Sequence, residues 1–196
     1  MVDFCHSSGG NTMTIKELCT KMHDKYGYEY AALTGSAELE NRSVKLECSD
    51  RPNDALFFSK LCKSYNEDTN EMNGPWIPQW LDWMEVNDND YMLNEYKHKH
   101  IIFAKYDNSS IINLTRDEDF VMDNTYEVMP NIWWFNWPEM RRCGFKGFRF
   151  DQEPGWHKRI GFAWDVKTLA VWDTTALFDV KIFNASNSEK GYTYNT

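Results

Sequence analysis

Apolar positions are densest in residues 131–138, Asn-Ile-Trp-Trp-Phe-Asn-Trp-Pro, where half of the side chains are aromatic. Period-two alternation turns Trp133, Phe135 and Trp137 to one face of a strand and Trp134 to the other. Aromatic side chains bring the largest single burials to a core, so a segment with rings on both faces asks for cover on both and predicts a central strand. Helical spacing is clearest near the N-terminus. Thr14 and Glu17 form a capping box, Ile15, Leu18, Cys19, Met22 and Tyr26 recur on one stripe, and Gly27 stops the run. A second stripe, Ala55, Phe58, Leu61, Cys62 and Tyr65, follows the turn signal Arg51-Pro52-Asn53-Asp54 and predicts a second helix. Trp76, Ile77, Trp80, Leu81 and Met84 predict a third, opened by Pro75 and Pro78, with Trp83 off its stripe.

Strand patterns fill most of the remainder. Val44, Leu46 and Cys48 alternate with charged residues, and residues 28–33 read either as their partner or as a helical turn. Residues 101–104 and 111–114 flank Asp107-Asn108-Ser109-Ser110 and predict a hairpin. Beyond Pro138, alternation around Phe148, Phe162, Leu169 and Val180, with short turns between, predicts an antiparallel meander. The expected fold is α+β, a single domain in which N-terminal helices pack on a mainly antiparallel β-sheet formed largely by the C-terminal half. Residues 1–12 read as a flexible leader, 13–184 as the domain and 185–196 as a polar tail. Met13 is as good a start as Met1.

Composition narrows the class. The 196 residues include nine Trp, which opposes disorder. There is no apolar run of the ~20 residues that span a bilayer and no charged-then-apolar leader. Five scattered Cys without a C-x-x-C pair read as reduced thiols. The expected compartment is therefore the cytoplasm, that of a host if the source is viral; Asn-rich composition and 14 Lys against 7 Arg hint at an AT-rich source such as a phage. The N-x-S/T matches at Asn41, Asn108, Asn113 and Asn184 read as chance.

Charge is unevenly spread. The net is −9, yet residues 1–140 carry 12 Lys and Arg against 24 Asp and Glu, whereas residues 141–159 carry six against two. An acidic body opposes generalised binding to nucleic acid. The basic island, Arg141, Arg142, Lys146, Arg149, Lys158 and Arg159 with His157, is mixed with Phe145, Phe148 and Trp156. It reads as internal pairing with the body's carboxylates, as a protein contact, or as an anion site for a nucleotide or nucleic acid.

Two further chemistries are weighed. His98 and His100, with Cys5 and His6 elsewhere, lack a third ligand, and interleaved Lys97 and Lys99 favour a solvated strand edge, so no metal site is assigned. Asp165, Asp179 and Lys181 resemble the paired-acid-plus-lysine pattern of the PD-(D/E)xK nuclease fold; the resemblance is confined to the stretch of residues 165–181 and lacks the pattern's proline. It implies that the two carboxylates hold Mg²⁺ and that the lysine stabilises charge at phosphorus. No G-x-S-x-G, Walker loop, Rossmann glycine set or H-E-x-x-H occurs.

The reading that joins these patterns is a non-enzymatic binding protein without a cofactor. Its carboxylates and exposed aromatics, with Trp83, Asp88, Asp90, Trp134 and Trp156 as partner-binding candidates, engage a macromolecule with a basic surface, away from any membrane. An immunity-type or phage-type inhibitor of a nucleic-acid-handling or defence protein has this character. The alternative is the Mg²⁺-dependent nuclease or nucleotide-acting phosphodiesterase at Asp165, Asp179 and Lys181; a structural virion or scaffold component is a third class.

Overall fold

The computed structural model describes residues 2–4, 12–35, 37, 39, 45–66, 68–86, 100–130, 132–151, 166–185 and 193–195. In chain order the strands are β1 (Val2–Phe4), β2 (Thr12–Thr14), β3 (Tyr30–Thr34), β4 (Leu56–Lys63), β5 (Trp76–Pro78), β6 (His100–Tyr106) and β7 (Ile111–Asn113). They continue with β8 (Thr125–Met129), β9 (Ile132–Phe135), β10 (Gly147–Phe150), β11 (Thr168–Val171), β12 (Leu177–Asn184) and β13 (Thr193–Asn195). The helices are α1 (Ile15–Tyr26), α2 (Gln79–Val86), α3 (Glu118–Asp123) and α4 (Trp137–Arg142), with a 3-10 turn over Thr174–Ala176. The fold is α+β.

The chain separates into two compact units. The first comprises Met1–Glu38, Ser59–Lys105 and Asp179–Thr196, and the second Leu39–Phe58 and Tyr106–Phe178. In the first unit the strands run β1, β12, β6, β3, β4, with β5 also on β4. Helix α1 begins as its sequence demands: the Thr14 side chain accepts from the Glu17 N–H, the Glu17 carboxylate accepts from the Thr14 N–H, and Gly27 ends the helix at φ 71°. Its inward stripe of Ile15, Leu18, Cys19 and Met22 shares an apolar cluster with Tyr28, Leu61, Ile77, Ile101, Phe103 and Tyr194.

In the second unit the strand order is β11, β10, β7, and β8 pairs with β9 as a separate two-stranded ribbon. The core is aromatic: Phe135, Trp137, Phe148, Phe150 and Trp172 cluster with Ile112, Val121 and Met140. Gly147 is required where β10 lies between β7 and β11. A Cβ there would stand 2.6 Å from both the Ala170 carbonyl oxygen and Ile111 Cδ1.

Several expectations are corrected. The sheet is mixed, since β1 lies parallel to β12 and β7 parallel to β10. Nor is it built largely by the C-terminal half, because β3, β4 and β6 are integral to it. Within residues 55–65 the chain forms β4, Leu56–Lys63, and not a helix. Leu56 and Phe58 are buried with Phe57 exposed between them, while the next buried position is Leu61, so the apolar spacing imitates a helical stripe. Trp76–Pro78 pairs with β4, which delays the third predicted helix to Gln79. Lys45–Glu47 takes no regular structure, although Ser49 forms an isolated bridge to Phe135.

The Asp107 turn forms as its chemistry predicts, with Asp107 Oδ1 accepting from the Ser109 N–H at 3.0 Å. Its flanks do not make the expected hairpin: β7 finds β10, and β6 lies between β12 and β3. Strands β11 and β12 are not neighbours either, which replaces the meander with crossovers; residues 160–164 lie outside the described residues. The segments expected as leader and tail both contribute strands, β1 on β12 and β13 on β2.

The close approach at Gly147 predicts that Gly147→Ala lowers stability by about 1–3 kcal/mol, the usual cost of overpacking. Gly27→Ala, strained at φ 71° but with open space around it, should cost about 1 kcal/mol. Urea unfolding of both variants checks this, and a smaller loss for Gly147→Ala would show that β10 is not wedged.

Candidate functional site

The Asp117 carboxylate accepts from the Asn113 N–H at 2.9 Å and pairs with the Arg116 guanidinium at 2.7 Å, directly before the single helical turn and a half of α3. At the other end Asn124 Nδ2 donates to the Phe120 carbonyl at 2.9 Å, and Thr125 Oγ1 donates to the Val121 carbonyl at 2.6 Å, which fixes the first residue of β8. Strand β9 ends at Asn136, whose side chain accepts from the Glu139 N–H and caps α4, with Pro138 in the first turn. The Asn136 N–H donates to the Asn124 carbonyl at 2.8 Å and ties the two ends of the ribbon together. The outer side of β9 is bridged to Ser49 through Ser49 N–H to Phe135 O at 3.2 Å and Phe135 N–H to Ser49 O at 2.8 Å.

Within this frame, alternation divides the ribbon into two faces. Phe135 is fully buried, stacked on Trp137 with centroids 4.5 Å apart, and Trp133 is packed against the same core. The opposite positions point outward. Tyr126 lies across from Trp134, and Met129 across from Ile132, with a register shift between Glu127 and Met129. Their exposures are 43% for Tyr126, 59% for Met129, 44% for Ile132 and 38% for Trp134. Four large apolar side chains thus share one face of a ribbon whose other face is anchored. Tyr126 is further restrained by Cys48, whose thiol beside the phenol raises the Tyr126 pKa.

The chain through this ribbon is acidic, and the arginines that flank it, Arg116 and Arg142, pair with Asp117 and Glu139. Residues 117–140 contain six Asp and Glu and no Lys, Arg or His. Glu118, Asp119 and Asp123 on α3 and Glu127 on β8 are all exposed.

Comparison with protein-family models finds no match to this chain, and comparisons with curated proteins and with solved structures find none either.

Of the partner-binding candidates, Trp134 stands on the exposed ribbon. Trp83, on α2, is half-buried and stacks on Trp80 at 5.1 Å with planes 10° apart. Asp88, Asp90 and Trp156 lie outside the described residues, as do Lys158, Arg159, His157 and His98. The described part of the basic island is engaged by neighbouring carboxylates. Arg142 Nε donates to Glu139 at 2.7 Å, and Arg149 Nε lies 2.7 Å from Asp151 while its Nη1 donates to the Tyr106 hydroxyl. Lys146 and Arg141 add to the Thr175 hydrogen bonds that hold the Asp173 carboxyl below its usual range. His100 contacts Asn184 Oδ1 at 2.8 Å through Nδ1.

The nuclease-like residues are described in part, since Asp165 lies outside the described residues. Asp179 adopts φ 48°, in the left-handed region, and alternation slips there: Phe178 and Asp179 are both exposed before Val180 turns inward. Two contacts hold that bend. The Tyr28 hydroxyl donates to the Asp179 carbonyl at 2.7 Å, and Lys105 Nζ lies 2.9 Å from its carboxylate. Lys105 also sits over the Tyr28 ring at 5.2 Å. Among the described residues no three His, Cys, Asp or Glu side chains converge as a metal-holding group.

Tyr126, Met129 and Ile132 escaped the sequence reading. The signal was present: Met129-Pro130-Asn131-Ile132 is turn chemistry between two β-favouring runs, which marks a hairpin.

Lys105 holds the Asp179 carboxyl below the usual carboxylate range, with Tyr28 and Lys181 acting in the same direction. A depressed carboxyl stabilises the fold above its unfolded-state value, about 3.9, and that contribution is lost as pH falls through the folded-state value. Both partners are about two-fifths exposed, so screening limits the effect. Asp179→Asn should therefore cost less than about 1 kcal/mol at neutral pH and flatten part of the stability decline below about pH 4. Urea midpoints for wild type and variant at both ends of that range check it; parallel declines would remove the claim.

Proposed function

We propose that the protein is a non-enzymatic binding protein whose acidic body engages a basic macromolecular partner through the β8–β9 ribbon. The observation that carries this reading is the set of four large apolar side chains, Tyr126, Met129, Ile132 and Trp134, exposed together on one face of a firmly anchored ribbon. Such clustering marks an interaction surface, whereas scattered exposed apolar residues do not. Aromatic anchors supply most of the affinity at interfaces, and a field of one sign raises the encounter rate with a partner of the other. A small acidic protein of this design suits inhibition of a nucleic-acid-handling or defence protein, by occupying the cationic surface that a nucleic acid would otherwise take. In this reading it works in the cytoplasm, a host's if the source is viral, and needs no cofactor.

A second reading rests on the left-handed Asp179 between Lys105 and Lys181, since residues held in sparsely populated backbone regions cluster at functional sites. In it Asp165 and Asp179 would hold Mg²⁺ and Lys181 would stabilise phosphoryl charge. Cleavage of DNA or RNA that requires Mg²⁺ or Mn²⁺ and vanishes in Asp179→Ala would favour this reading over the first.

Binding predicts a salt-sensitive encounter. Protein immobilised and exposed to extract of its source cell should retain a basic partner, and the purified pair's association rate should fall on the order of tenfold between low and physiological salt. A rate independent of salt would count against an acidic steering surface.

A further inference from the structure

We infer that the occupant of the ribbon face is a cationic, amphipathic polypeptide segment, one that sets aliphatic or aromatic side chains against Tyr126, Met129, Ile132 and Trp134 and places Lys or Arg toward the carboxylates of α3. The inference rests on the binding reading above and names the chemistry of its partner.

Charge selects among the occupants of an apolar face. Nucleic acid is held by neutralising its phosphates with Lys and Arg, whereas Glu118, Asp119 and Asp123 are exposed on α3 and the flanking Arg116 and Arg142 are engaged by Asp117 and Glu139. An anionic membrane surface meets the same repulsion. A second copy of the chain, docked face to face by a two-fold axis, would bring together two acidic surfaces that include Glu118, Asp119 and Asp123, within a pair of chains that each carry −9. A cationic polypeptide alone meets both the apolar face and its surroundings favourably.

Geometry places the contact on the face and not along an edge. The outer side of β9 is occupied at Phe135 by Ser49, and β8 is interrupted by the register shift between Glu127 and Met129. An added strand would find neither edge regular. The face itself is preorganised: Asn124, Thr125 and Asn136 fix the open end of the ribbon, where β8 begins and β9 stops, and Phe135 and Trp133 anchor its underside. Little ordering is left to be done on binding, which is the condition under which a few aromatic anchors give useful affinity. The cross-strand pair Tyr126 and Trp134 forms the centre of the contact, with Met129 and Ile132 extending it toward the turn.

The test uses the full chain and three short synthetic peptides of equal length: Leu alternating with Lys, Leu alternating with Glu, and Ser alternating with Lys. Binding is read by calorimetry in wild type, Trp134→Ala, Tyr126→Ala and the double variant Asp119→Asn with Asp123→Asn, each first shown to unfold at the wild-type urea midpoint. The Leu/Lys peptide should bind, weaken about thirtyfold on loss of Trp134 or Tyr126, and weaken about tenfold in the double variant. The Ser/Lys peptide should bind at least about tenfold more weakly, and the Leu/Glu peptide should not bind.

Absence of Leu/Lys binding, Leu/Lys binding indifferent to Trp134 and Tyr126, or equal binding of Leu/Glu would each overturn the inference. So would concentration-dependent self-association in sedimentation that Trp134→Ala abolishes, which would assign the face to a second copy. Binding of duplex DNA or anionic vesicles that Trp134→Ala abolishes would do the same. A salt-sensitive natural partner retained equally by wild type and Trp134→Ala would leave the binding reading standing and remove this face from it.

Discussion

The packing of Phe135 on Trp137 governs the second unit. The two rings stack at 4.5 Å, Phe148 meets Trp137 edge-on at 5.2 Å, and both Phe135 and Trp137 are fully buried. Such pairs contribute about 0.5–1.5 kcal/mol beyond the burial of their area. Asn136 between them makes the geometry work, because it ends the strand and caps the helix, so two neighbouring aromatics reach one core from different elements. Everything on the ribbon's outer side then follows from alternation. With Phe135 and Trp133 committed inward, Trp134 and Ile132 have no course but outward, and register brings Tyr126 and Met129 beside them. The exposed apolar face is the other side of the core's own requirement.

Local chemistry was legible in the sequence; long-range pairing was not. The capping box at Thr14 and Glu17, the Gly27 stop and the Asp107 turn all form, because each depends on residues within a few positions of one another. What failed was period and partner choice. Residues 55–65 carried apolar positions consistent with both periods, and tertiary pairing with β3 and β5 decided for strand. A good turn favours pairing between its flanks, yet β7 pairs with β10 in parallel. Nothing in a local window announces a crossover.

Of the candidate site, Trp134 was visible and its company was not. The reason is physical: aromatic alternation runs through residues 131–138 as if through one strand, although Asn136 followed by Trp-Pro is a helix start. Ending the strand at Phe135 would have assigned a ribbon and revealed Tyr126 and Ile132. The basic island shows a different limit. Charge counting located it, and only geometry could show Arg142 on Glu139 and Arg149 on Asp151. Asp179 combines both lessons. Its carboxylate was visible in the sequence, while its left-handed backbone and its Lys105 partner, distant in the chain, were not.

An apolar two-stranded ribbon facing water is ordinarily a seed for fibril growth, since unpaired backbone along a flat strand invites the next chain to stack on it. Here the Ser49 bridge stoppers one margin of the ribbon and the offset at Glu127 and Met129 twists the other away from regular stacking. Sticky side chains are thereby uncoupled from a backbone edge along which strands could add.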